Sequence, residues 1–110
     1  MSIEQTDTVD FVNIDHGSGD VWLTISDHLG WDQGEGEHLL LLQSKLNAYL
    51  RFIESGEIFI EFPETRGRKM VINLVGKFPL SEQANLFLEK ARSAISNAGF
   101  ALQFKLMPSN

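Results

Sequence analysis

The chain's capacity for chemistry is concentrated between positions 27 and 38, in Asp27, His28, Trp31, Asp32, Glu35, Glu37 and His38. Imidazole nitrogens and carboxylate oxygens together suit zinc, nickel or manganese. Asp27, His28, Trp31, Asp32 and His38 therefore form the candidate ligand or metal site. Spacing argues against the metal, because there is no HxxxH or HxH pair and His28 and His38 stand ten positions apart. A chelating site needs ligands held in convergence, and nothing in this spacing enforces it. Asp32 or Glu35 has a simpler use at the positive end of a following helix. No bound metal and no cofactor is expected.

Ser26-Asp27-His28 contains the residue types of a hydrolytic triad. Neighbours on a strand point to opposite faces, however, so adjacency separates these side chains. No GxSxG elbow is present to expose a serine, and no catalytic residue is assigned. Asp27 is better suited to ending a strand through hydrogen bonds to its own turn. His16-Gly17-Ser18-Gly19 is glycine-rich but joins two strands, whereas phosphate-cradling loops lead into a helix N-terminus. Arg66, Arg68 and Lys69 form the one basic cluster, and they read as a solvated hairpin tip. Trp22 and Trp31 could stack a ligand, although large aromatics more often serve cores and interfaces.

These residues must be positioned by a single domain, since 110 residues suffice to close one core. Neither a repeat nor a Pro/Gly/Ser-rich linker divides the chain. Hydrophobic residues make up 43% and charged residues 22%, which is globular composition. With no cysteine, thiolate metal sites and disulfides are excluded. The net charge of −6 repels nucleic acid and anionic lipid, so neither is expected as a partner. The polar, acidic start lacks the basic and apolar regions of a secretory signal. Leu39 to Leu42, the longest apolar run, is too short to span a bilayer. A cytoplasmic protein is expected, with residues 1–8 as a flexible N-terminal segment.

Hydrophobic periodicity supplies the elements. Val9–Asp15 and Val21–Ser26 read as strands of a hairpin turned at His16–Asp20. A polar loop from Asp27 leads to a helix over about Glu37–Glu54, with Leu39, Leu42, Leu46, Tyr49, Leu50 and Ile53 on one stripe and Gly56 as its left-handed cap. Glu57–Phe62 alternates with Ile58, Ile60 and Phe62 on one side and reads as a strand, with Met70–Val75 returning. Ser81 is placed to cap a helix whose core stripe is Ala84, Phe87, Leu88, Ala91, Ile95 and Ala98. Gly99 ends that helix, and Phe100–Leu106 is the last strand. The order ββαββαβ predicts an α+β, two-layer sandwich with helices on one face of a largely antiparallel sheet. Its core would be a ferredoxin-like split βαβ with an extra N-terminal strand.

Leu23-Thr24-Ile25-Ser26-Asp27-His28-Leu29 with Trp31, and the run from His38-Leu39-Leu40-Leu41-Leu42 to Phe52-Ile53-Glu54-Ser55-Gly56-Glu57-Ile58, resemble a family of small bacterial proteins known only as a domain of unknown function. The resemblance extends to Asn97-Ala98-Gly99-Phe100 and implies a stand-alone bacterial domain, with no catalytic residue to carry over.

The apolar content exceeds what two layers need. The first helix has a second stripe, Leu41, Ala48 and Phe52, and Phe59 and Trp22 oppose the core-facing residues of their strands. Apolar residues on both faces imply a further contact. Trp22, Leu41, Phe52 and Phe59 are accordingly the expected interface of a homodimer or protein-binding domain. An acidic, immunity-like protein is one concrete form of it. The rival expectation is a small-ligand or metal-binding protein, or an enzyme, built on the Asp27–His38 loop.

Overall fold

Alternation from Val21 to Asp27 does produce a strand, β2, whose antiparallel partner β1 spans Phe11–Ile14. The computed structural model describes residues 3–6 and 9–107, so residues 1, 2, 7 and 8 of the segment expected to be flexible lie outside the described residues. Within that segment Ile3 is fully buried in the core. The β1–β2 turn closes through Asp15, whose amide donates to Asp20 O at 2.8 Å. The Asp15 carboxylate accepts both the Ser18 amide and the Ser18 hydroxyl at 2.9 Å. Led by the amide, these bonds hold its pKa below the usual carboxylate value. Gly19 takes φ 77° in this turn, a conformation that costs other residues strain.

Helix α1 runs Glu35–Glu54 and buries Leu42, Leu46, Tyr49 and Ile53 of the expected stripe. Ala48 and Phe52 of the second stripe are buried as well, and Leu41 packs partly buried against the core. Gly56, at φ 84°, ends the helical path in the left-handed conformation.

The expected strand Glu57–Phe62 is instead a short helix, α2 (Glu57–Glu61), followed by a 3-10 turn over Pro63–Thr65. Burial explains the difference. Ile58 is fully buried while Ile60 is 79% exposed, so the two do not share a face as a strand would require. Ile58, Phe59 and Phe62 pack inward, with the one- and four-residue spacing of a helix. With that strand goes the ferredoxin-like core.

Strand β3 (Met70–Gly76), helix α3 (Glu82–Asn97) and strand β4 (Ala101–Leu106) follow. Ser81 Oγ accepts the Ala84 amide at 3.1 Å and caps α3 as expected. The other end is a Schellman motif, with Phe100 N–H bonding Ile95 O at 3.0 Å and Gly99 at φ 93°.

The sheet order is β1-β2-β3-β4. Only β1–β2 is antiparallel. Leu23 aligns with Ile72 and Ile72 with Leu102 in parallel pairings, so the largely antiparallel sheet expected from a second hairpin is corrected to a mixed one. Each parallel step needs a crossover, and α1–α2 and α3 supply them. Crossovers of one hand stepping in one direction place their helices on one face. Accordingly α1 and α3 share one core with Val21, Leu23, Ile25, Ile72, Leu74 and Leu102. The coarse expectation, an α+β fold with helices on one side of a sheet, holds. Among the described residues no helix is long and apolar enough to cross a membrane.

Candidate functional site

Two buried polar nodes flank α1. In the first, Asp27 ends β2 on the core-facing side, in register with Gly76. Its Oδ1 accepts the Leu29 amide at 3.1 Å, the turn bond that its type favours at a strand end. Its Oδ2 lies 2.6 Å from His38 Nε2. His38 sits in the first turn of α1, where its amide donates to Gly34 O at 2.9 Å. The other ring nitrogen, Nδ1, is 3.0 Å from Gly30 O. A carbonyl only accepts, so Nδ1 carries a hydrogen and donates it to Gly30 O. Trp31 stacks on the imidazole, with centroids 3.5 Å apart and planes 14° from parallel.

An aspartate that orients a histidine is the supporting half of a general-base system. Here it has no free end. Both ring nitrogens are engaged, one face of the ring is covered by Trp31, and Asp27 and His38 are only 4% and 2% exposed. The arrangement ties the 28–34 loop between β2 and α1. Of the five candidate ligands, Asp27, Trp31 and His38 meet, whereas Asp32 points to solvent and His28 is 54% exposed, 3.7 Å from Glu4. Among the described residues no group of three His, Asp or Glu side chains could hold a metal ion.

The second node escaped the sequence reading. Lys45, in the middle of α1, is fully buried. Its Nζ lies 2.9 Å from Asp10 Oδ2 and donates to Gln5 O at 2.6 Å. One turn on, the Tyr49 hydroxyl donates to Thr24 O at 2.7 Å and accepts the Asp10 amide at 3.1 Å. Lys45 thus fastens the N-terminal segment to α1, and Tyr49 fastens α1 to β2. The available signal was a cation inside the second apolar stripe, between Leu41 and Ala48.

Burial pushes the Tyr49 hydroxyl up to about 12 from an ordinary value of 10.0, and the nearby Asp10 charge adds to the shift. Below pH about 10 both folded and unfolded chains keep this proton and the full contribution is present. Between about 10 and about 12 the unfolded chain ionises first, so stability falls as pH rises. Tyr49 is the chain's one tyrosine, so tyrosinate absorbance reports it alone. Its midpoint is expected near 12, and Tyr49→Phe is expected to flatten the alkaline loss in urea midpoint across that window. A midpoint near 10 would place the hydroxyl in water.

The basic cluster is not a hairpin tip, since α2 and the 3-10 turn precede it. Arg68 joins its loop to the β1–β2 turn, donating through Nε to Glu64 O at 3.0 Å and through Nη1 to Gly19 O at 2.9 Å. The Arg66 guanidinium lies 4.9 Å from the Phe59 ring centroid. The two tryptophans do not form one platform, because Trp31 belongs to the histidine node and Trp22 projects from the opposite sheet face.

That face carries Phe11, Asn13, Trp22, Thr24, Val71, Asn73, Val75, Ala101 and Gln103, by register with the core-facing positions. Phe11 is 44% exposed, and Val71 is buried without joining the helix-side core. Gln103 donates to Asn73 at 3.0 Å across it. The Trp22 indole nitrogen is buried with no acceptor among the described residues. Leu41, Phe52 and Phe59, the other expected interface residues, pack against the helix-side core.

No curated protein and no solved structure matches the chain. The model of one family, described as Family of unknown function (DUF6572), matches residues 1–108, and the chain belongs to that family.

Proposed function

We propose that the protein is a non-enzymatic interaction domain that pairs with a second copy of itself through the sheet face opposite the helices. The observation that carries this reading is the composition of that face. Aromatic and aliphatic side chains from four strands stand on it, and among the described residues no helix covers it. Of 9 basic and 15 acidic residues in the chain, only Lys105 lies among its strand positions. A chain of net charge −6 resists its own copies over most of its surface, and a nearly uncharged face is where that resistance is least. Two sheets packed face to face bury their inner side chains about 10 Å apart. A two-fold arrangement covers both copies with one contact.

The acidic, cysteine-free composition also suits a basic protein partner, as an immunity-like role would require. The loop-borne enzyme or metal reading is disfavoured by the buried, fully engaged state of Asp27 and His38.

Sedimentation at micromolar concentration tests the pairing. The expected mass is that of a dimer, and Phe11→Glu is expected to reduce it to a monomer that still unfolds cooperatively, with a melting temperature that no longer depends on protein concentration. A monomer mass for the unaltered chain would overturn the pairing.

A further inference from the structure

On the helix side, a groove of about 850 Å³ opens between residues 9–12, the second half of α1, and α2. It lies away from the sheet face opposite the helices, because Val12 points to the core side of β1. Its floor is apolar, formed by Val12, Phe52 and Phe62, and its rim carries Glu54, Glu57 and Glu61 against the single Arg51. These three carboxylates are exposed, and none has a basic partner among the described residues. Glu54 is the last residue of a 20-residue helix, the end at which the backbone dipole disfavours negative charge. Its placement there opposes helix stability, and a solubility role would be met as well at the other end.

A second observation marks the same groove. Asp10 lines it with a side chain only 3% exposed. One carboxylate oxygen is held by Lys45 at 2.9 Å, while the other, Oδ1, is buried with no hydrogen-bond donor among the described residues. A buried acceptor without a donor is costly, and a bound N–H group would satisfy it.

We infer that this groove seats a lysine or arginine side chain of a basic protein partner. Such a side chain matches the groove along its length. Its aliphatic stem lies on the apolar floor, and its cation meets the glutamate rim beside the buried Oδ1 of Asp10. An anionic ligand meets three like charges, and a wholly apolar one leaves Asp10 Oδ1 unsatisfied. The chain's −6 charge speeds the approach of a basic partner. The inference goes beyond self-pairing and uses a different surface, so either can fail alone.

The probe is a blocked six-residue lysine/arginine peptide, titrated against the full chain by two-dimensional NMR at low and moderate salt. Amides of residues 9–12, 51–55 and 57–62 are expected to shift. The triple variant Glu54→Gln, Glu57→Gln, Glu61→Gln is expected to weaken binding by about tenfold. An equal charge change on Asp32, Glu82 and Glu89 is expected to leave affinity unchanged, as is Phe11→Glu on the sheet face. Equal loss from both triple variants would show binding by net charge alone and overturn the site. Spermidine binding as tightly as the peptide would overturn the protein source of the cation. Absence of shifts in the groove would overturn both.

Discussion

Truncating Asp27 to alanine is expected to cost about 3–5 kcal/mol, the range found when one member of a buried ion pair is removed. The loss has identifiable parts. His38 Nε2, in a side chain 2% exposed, forfeits its 2.6 Å partner, and the half-buried Leu29 amide forfeits its acceptor. His38→Ala is expected to cost a similar amount, because it leaves the Asp27 carboxylate buried and also removes the stacking partner of Trp31. The two losses are not additive. Once one member is gone, removing the other relieves an unpaired group, so the double variant is expected to lose less than the sum. A domain of this size has about 5–15 kcal/mol in total, so each single variant should unfold at a much lower urea concentration with an unchanged slope. His28→Ala, one residue from Asp27 but in solvent, is expected to shift stability by no more than about 0.5 kcal/mol. Equal midpoints for Asp27→Ala and His28→Ala would remove the structural role assigned to this node.

Lys45→Met is the second large effect. The substitution keeps the length and packing of the stem and deletes the cation, leaving Asp10 charged and 3% exposed beside Tyr49. The expected cost is again about 3–5 kcal/mol. Because Lys45 also holds Gln5 O, proteolytic release of the N-terminal segment should quicken in the same variant. A combined Lys45→Met, Asp10→Leu variant separates attraction from desolvation. If the cost of the single change lies mainly in the orphaned carboxylate, the combined variant recovers most of the lost stability. If it stays as unstable as Lys45→Met, the N-terminal fastening itself is the larger part.

What the sequence disclosed follows the range of the interactions concerned. The stripes of α1 and α3, the Ser81 cap and the glycine stops at 56 and 99 depend on residues within a few positions of one another, and all of these were legible. Ala98 was assigned to the α3 stripe but lies exposed at the helix cap. The Glu57–Phe62 segment was misread because Ile58, Ile60 and Phe62 satisfy a period of two, while Ile58, Phe59 and Phe62 satisfy a helical spacing equally well. Only tertiary burial, which hides Ile58 and exposes Ile60, separates these patterns. That one element decided the sheet, since a helix in its place turns a hairpin into a parallel crossover. The polar nodes show the same limit. Asp27 and His38 were singled out for their chemistry, but their meeting depends on a loop that turns back through Gly30 and Gly34, the latter at φ 67°. Lys45 meets partners 35 and 40 positions away, and no local pattern announces them.

Self-association through the sheet face can be read most directly from the two tryptophan indole signals in a dilution series followed by NMR. The chain has two tryptophans, and they occupy opposite sides of the sheet: Trp22 on the face away from the helices and Trp31 against His38 in the core. Trp22→Phe assigns the pair of signals. The proposal predicts that the Trp22 indole resonance moves with protein concentration while that of Trp31 stays fixed, and that Phe11→Glu abolishes the movement. A Trp22 resonance constant from low micromolar to millimolar concentration, accompanied by a monomer's rotational correlation time, would contradict it.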